Sequence, residues 1–247
     1  KQTAAKPGVA SQIGMGLVGL GVSHKAKDIG GKAIESVADF DIAIRQQKVF
    51  MDLAKEDQEK LKAQALKIGQ DTKFTNLDVV HAQTAAMQGM GAKMTPAQKA
   101  QAALGITQAA SNFAQMMPGT DLTRSSELLR SYMTSFGKNL SDPVTAVAES
   151  VQAANLMLKA AKAGGMSAED LEQYVKFAGA AAKAAGLTEE TTLALAATAR
   201  IGGLRGDEAG VFVRSMSNKL TNPTNPGLTA LQAAGIKYSD YVGMPAS

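Results

Sequence analysis

From Phe40 onward, apolar residues recur at intervals of three and four, the period of a helix with one buried face. Phe40, Ile44, Phe50, Leu53, Leu61, Leu66 and Ile68 share a drifting stripe, and KEDQEKLK supplies a solvated side, so the pattern predicts one long helix ended by Gly69. A second helix is expected from Thr75 to the GMG that ends at Gly91. A third starts after Thr95, with Pro96 at its first position. It carries Leu104, Ile106, Phe113 and Met117 and stops at Pro118-Gly119. Asp121 or Thr123 caps the next, which turns Leu128, Leu129, Tyr132, Met133 and Phe136 inward and closes at Gly137. SDP at 141–143 opens a helix through Val147, Val151, Leu156 and Leu158, ended by Gly164-Gly165. Ser167 opens one carrying Leu171, Val175 and Phe177, ended by Gly186. Thr188 opens another, broken by GGLRG with Gly203 inside it. Asp207 opens the last clear helix, through Val211, Val213 and Met216. NPTNPG, with Pro223 and Pro226, is a turn before a short final helix. No period-2 run is present. The expected fold is all-α, an array of helical hairpins with Gly and Pro stops and no sheet.

Four helix starts share one wording. FTNLDVV reads Phe74, Thr75, two residues, Asp78 and Val79. Thr75 can cap the helix, Asp78 can reach back to the Thr75 amide, and Phe74 can pack on Val79. Met94-Thr95, Met166-Ser167 with Asp170, and Leu187-Thr188 repeat the form. The gaps between these starts are unequal, which favours hairpins over a solenoid of fixed period.

Composition sharpens the picture. Much of the apolar content is alanine, aromatics are 4% and tryptophan is absent, so the expected core is thin, with methionines as fillers. No cysteine is present, which excludes disulfides, thiolate metal sites and a cysteine nucleophile. The net charge of +4 is spread out, unlike the concentrated basic face of a nucleic-acid reader.

Residues 1–37 differ from the rest. GMGLVGLG alternates glycine with apolar residues, and among the first 34 residues lysines 1, 6, 25, 27 and 32 outweigh Asp28. This gives a Gly/Lys-rich segment, flexible or ordered by a partner, then a helical domain at 38–242 and a truncated loop at 243–247. The chain is read as a fragment of a longer protein. Val9 to Val22 is too short and glycine-rich for a membrane span of about 20 residues.

Little here carries chemistry. GMGLVG matches G-x-G-x-x-G, but no preceding strand is evident, and Asp39, at about the right distance, lies on or beside a helix. The segment therefore reads as a mobile Ala-Gly stretch, or as one that meets a membrane or partner. Asp78 and His81 share a helix face, yet nothing near them completes a metal set. His24 is isolated, no Ser-His arrangement stands out, and the acids of EDLE and TEE suit the first turns of helices. Arg200, Arg205, Arg214 and Lys219 cluster around GGLRGDEAG and form a candidate patch for an acidic partner. The alternative is that Arg200 serves a helix C-terminus and Arg214 a solvated face.

The order of motifs resembles the core region of phage tail tape-measure proteins. The stretches that carry it are ADFDIAIRQQKVFMDLAKED, LKAQALKIGQDTKFTNLDVVHAQTAAMQGMG, GGMSAEDLEQYVKFAGAAAKAAGLTEETTLALAATARIGGLRGDEAG and KLTNPTNPGLTALQAAGIKYSD. Together they span about residues 38–242. Each motif is a cap or a glycine stop, and the specificity lies in their order and spacing. The resemblance implies a structural protein with no catalytic residue, no cofactor and no metal. It implies a scaffold inside the growing tail that sets its length. The implied partners are tail-tube subunits and tail-assembly chaperones, with a homo-oligomer in the tail lumen. It implies no sequence-specific nucleic acid, and a membrane as a contact during DNA ejection. The place implied is the virion tail lumen, and the host cytoplasm during assembly. Two other readings compete, a membrane-active helical pore or translocator and a peptidoglycan-cleaving enzyme module.

Overall fold

The computed structural model describes residues 25–88, 90, 94–140 and 142–235, and the side chains from Val37 onward. The GMGLVG segment, His24, Gly91 and the stretch from Ile236 to Ser247 lie outside the described residues. The chain divides after Ile42 into two units, Lys1–Ile42 and Ala43–Ser247. Among the described residues there are ten helices and no strand. They are α1 (Lys25–Met51), α2 (Lys55–Asp71), α3 (Asn76–Gln88), α4 (Pro96–Met116), α5 (Leu122–Ser135), α6 (Pro143–Gly164), α7 (Ala168–Ala184), α8 (Glu189–Ile201), α9 (Gly206–Thr221) and α10 (Asn225–Ala233).

Within the second unit, most helices pack on the next but one. The layer α2, α4, α6, α8 lies beside the layer α3, α5, α7, α9, and consecutive helices form the rungs. One hairpin of this composition cannot bury its apolar face alone, and stacking hairpins makes the core continuous. The hairpins are thus stacked in two layers without a fixed sequence period.

Several expected boundaries are corrected. The long helix through Gly69 is two helices. α1 ends in a turn where Leu53 N–H donates to Lys48 C=O at 3.0 Å, with Asp52 at φ 51° in the left-handed region. Aspartate tolerates that conformation, so no glycine or proline marks the break. The turn buries Leu53 and leaves Phe50 78% exposed and Leu66 38% exposed. α1 also begins at Lys25 rather than near Phe40, running through Gly30 and Gly31. Their cost, about 1 kcal/mol each, is spread over 27 residues.

Gly69 does not end α2, which continues to Asp71. A Cβ on Gly69 would lie 1.9 Å from Asn76 Oδ1, so this glycine admits the start of α3. α9 opens at Gly206, one residue before Asp207. Pro226 lies in the first turn of α10 rather than in the turn before it. α6 turns Ala146, Ser150, Ala153, Ala154 and Met157 inward and leaves Val151 exposed. Its buried stripe is one of small residues, which the larger Val and Leu positions obscure in the sequence. Among the described residues, no helix is long and apolar enough to cross a membrane.

Candidate functional site

The four capped starts have the following geometry. Thr75 N–H donates to Asp78 Oδ2 at 2.8 Å, and Asp78 N–H donates to Thr75 Oγ1 at 3.1 Å, with Phe74 and Val79 both buried. Thr95 and Gln98 form the same reciprocal pair at 2.9 and 3.3 Å, with Met94 buried before them. At Ser167 and Asp170 both bonds are 3.1 Å, and Met166 is buried. Thr188 accepts from Thr191 N–H at 3.1 Å, after a half-buried Leu187. Asp121, rather than Thr123, caps α5 by accepting from Arg124 N–H at 2.7 Å. Each pair occupies amides that the first helical turn leaves without a partner.

The helix ends are equally local. Gly137, Gly165, Gly186 and Gly203 follow helix ends with positive φ. Gly165 has φ 63° and ψ 36°, the left-handed conformation that closes α6. Pro223 follows α9 in the connection to α10.

Three further arrangements tie the layers together, and sequence reasoning missed all three. The first is a chain of glutamines. Gln47 Nε2 donates to Val80 C=O at 3.2 Å and to Gln83 Oε1 at 3.4 Å. Gln83 Nε2 donates to Leu61 C=O at 2.9 Å and Gln64 Oε1 at 3.0 Å, and Gln64 Nε2 reaches Leu104 C=O at 2.5 Å. Gln47 and Gln83 are fully buried. The available signal was the position of Gln83 three or four residues from Val79, Val80, Ala86 and Met87, on the apolar face of α3.

The second arrangement centres on Lys138, which pairs with Glu149 of α6 at 2.7 Å and with Glu189 of α8. Tyr132 donates its hydroxyl to Glu189 at 2.9 Å. Burial lowers the Lys138 pKa, but its bonds to Glu149 and Glu189 outweigh that and hold it above the usual lysine value. Burial, with Glu189 adding to it, pushes the Tyr132 hydroxyl well up. The cluster is therefore charged on lysine and neutral on tyrosine at ordinary pH, and acts as a fixed ionic tie.

The third is Asp170. Besides its bond with Ser167, its Oδ1 accepts from Gly206 N–H at 3.2 Å, and its Oδ2 lies 3.6 Å from Arg200 Nε. One carboxylate so caps α7, meets the N-terminus of α9 and pairs with α8. Burial pushes its pKa up, but the hydrogen bonds from Ser167 and Gly206 and the Arg200 charge prevail and hold it below the usual carboxylate range.

The candidate basic patch is split by these contacts. Arg200 is engaged with Asp170. Arg205 is exposed beside Asp207, with Nε and Oδ1 3.9 Å apart. The Arg214 guanidinium lies 5.7 Å from the Phe177 ring centre. Lys219 is exposed on the outer side of α9, beside a concavity of about 470 Å³ lined by Phe212, Ser215, Met216 and Leu231. His81 is exposed on α3, and no group of three or more His, Asp or Glu among the described residues is placed to hold a metal.

The described residues form a frame of capped helices tied by side chains. The family model described as phage-related minor tail protein matches residues 62–246. The chain belongs to that family. It is also similar to the tape measure protein of Pneumococcus phage Dp-1, with 22% identity over 238 residues. The alignment covers 94% of this chain and 19% of that protein, so the chain spans about a fifth of its relative. No solved structure matches. The family match includes all four capped starts and runs from the middle of α2 through both layers of the stack. Neither name describes a reaction.

Proposed function

We propose that the chain is a folded segment of a tape-measure protein, the part of a phage tail that sets tube length and scaffolds tube polymerisation. Its place is the tail lumen of the virion, and the host cytoplasm during assembly. Its partners are tail-tube subunits and tail-assembly chaperones, and passage toward the host membrane accompanies DNA ejection. The helical core is proposed at residues 38–242, with the correction that a boundary at residue 37 falls inside α1. The alignment with the Dp-1 tape measure protein over nearly the whole chain carries this reading. The stack supports it, because its surfaces come from helices that close on themselves through local caps.

A ruler encodes length as residue count. A helical chain adds about 1.5 Å per residue and an extended one at most about 3.5 Å. In-frame deletions elsewhere in the parent protein are expected to shorten tails, measured by electron microscopy, by a fixed amount per residue within those limits. Deletions inside residues 40–237 are expected to lower the number of assembled tails, because they cut through a cooperative stack. Tails of normal length from every deletion that assembles would reject the ruler.

A further inference from the structure

The turn between α1 and α2 is made from residues that favour helix. FMDLAKE, residues 50–56, holds no glycine and no proline. Among the described residues, Asp52 at φ 51° is the one non-glycine with positive φ. α2 then starts from Ala54, whose methyl cannot accept a hydrogen bond. The amides of its first turn therefore lack the partner that Thr75, Thr95 or Ser167 supplies elsewhere. On an unbroken helix the N–H groups of Lys55, Glu56 and Asp57 would meet the carbonyls of Met51, Asp52 and Leu53. The apolar pattern also runs through the turn. Phe50 precedes Leu61 by 11 residues and Ile68 by 18. Those separations are close to three and five whole helical turns, so one helix puts all three on a single face. In the structure Leu61 and Ile68 are buried and Phe50 is left outside.

What bends the chain lies outside the turn. Gln58 Nε2 donates to Ile44 C=O at 3.2 Å. A continuous helix would hold those two residues about 21 Å apart. Gln47 and Gln64 both bond Gln83 of α3. On a continuous helix they would be separated by about 25 Å. Opening would also bring Ile44 and Leu53 out of the core, where both are buried. The fold-back is thus imposed by tertiary contacts, against the local preference of residues 50–56. We propose that Asp52 is the pivot of a two-state joint. In one state α1, from Ala43 on, and α2 are folded back and clasped by Gln83. In the other they form one continuous helix from Ala43 to Asp71. The clasp sets the balance between the two populations. Opening gives a single helix about 43 Å long, so this element lengthens without losing helix. The inference concerns this joint alone, so it and the tail-length reading can fail separately.

The test uses the full 247-residue chain, which has no cysteine of its own. Arg45→Cys and Ala63→Cys, both at exposed positions, carry spin labels whose separation is read by pulsed electron spin resonance. The folded-back state gives a short distance, and the continuous helix gives one near 27 Å. The short distance is expected to dominate in the otherwise unchanged chain. Asp52→Ala with Gln83→Leu penalises the left-handed turn and removes the clasp. It is expected to raise the ratio of long to short distances at least about tenfold. Asp52→Gly is expected to lower that ratio, because glycine takes positive φ without a clash. A second label pair, Gln152→Cys on α6 and Thr198→Cys on α8, is expected to keep one distance throughout. Helical ellipticity is expected to hold in every variant. A single short distance in the Asp52→Ala, Gln83→Leu chain would overturn the joint. A long distance that appears together with a loss of ellipticity would overturn it as well, since the arms would then have unfolded rather than joined.

Discussion

The two ends of the stack join their helices by opposite means. Around α1 to α4, long polar side chains reach across. Gln47, Gln83 and Gln64 link four helices through hydrogen bonds that run side chain to side chain and side chain to backbone. Between α7 and α9 the side chains are withdrawn. A Cβ on Gly206 would lie 2.2 Å from the Asp170 carbonyl oxygen, and one on Gly210 would lie 2.8 Å from Phe177 Cβ. Both devices answer the same shortage. An alanine-rich chain with few aromatics fills little volume, so its helices either bridge the gap or close it. Bridging tolerates changes of spacing, because a glutamine can follow its partner. Closing does not, because backbone meets backbone.

The largest effect should therefore come from the closed end. Gly206→Ala places a methyl inside the van der Waals radius of a carbonyl oxygen, and no side chain is there to swing away. It is expected to cost about 3 kcal/mol, at the upper end of overpacking effects. Thermal unfolding followed by circular dichroism measures it. Gly210→Ala should cost less, since its nearest atom, Phe177 Cβ, lies at 2.8 Å rather than 2.2 Å. If both glycines accept alanine without a shift, the α7–α9 contact is not a close backbone contact.

The bridged end should respond in a graded way. Gln83→Ala removes two donor bonds and one acceptor at a site with no solvent access, and is expected to cost about 2 kcal/mol. Gln47→Leu should lie within about 1 kcal/mol of the parent, because Gln47 Oε1 is already buried without a partner. Removing that group offsets the lost bonds. Equal losses at the two positions would mean that the network acts as one unit, which a double-mutant cycle would then quantify.

Removing single caps is expected to have a smaller effect. Thr75→Ala and Thr188→Ala should each cost about 1 kcal/mol. Ser167→Ala should cost somewhat more, since it also loosens Asp170 from its place against α9. Chemical denaturation of the three variants provides the ranking.

These effects differ in how far the sequence announces them. The caps are local, so Thr75 with Asp78, or Ser167 with Asp170, can be read within four residues. The break after Met51 is local too, but Asp52 takes a left-handed turn with a residue that usually does not signal one. The glycine contacts lie in between. GDEAG marks two small residues four apart, yet only the partner helix decides whether Gly206 is a stop, a cap or a point of contact. Gly69 shows the same ambiguity, since it is a packing position that reads as a terminator. The bonds of Gln47 to α3, and of Lys138 to Glu149 and Glu189, depend on the stacking of layers. Nothing in the spacing of residues 11 to 51 apart along the chain specifies them.

Asp170 is where the two kinds of joint can be separated by pH. Its pKa is depressed in the folded chain, so folding is favoured by its ionised form. For such a carboxylate the stabilisation is complete above its unfolded value, about 4. It fades as pH falls through the lower folded value, where both states hold the proton. The parent chain should therefore lose stability on the acid side, and Asp170→Asn should flatten part of that loss while lowering stability at neutral pH. Asp142 is the control. Its pKa is also depressed, by Thr145 backbone and hydroxyl donors, but it caps only α6 and is fully exposed. Asp142→Asn should remove a cap and leave the α7–α9 contact unchanged. Amide exchange at Gly206, Ala209 and Gly210 distinguishes the two variants. Faster exchange there in Asp170→Asn alone would place the acid-sensitive joint between α7 and α9. Equal exchange in both variants would mean that Asp170 acts as an ordinary cap, and that the glycine contact holds α9 without it.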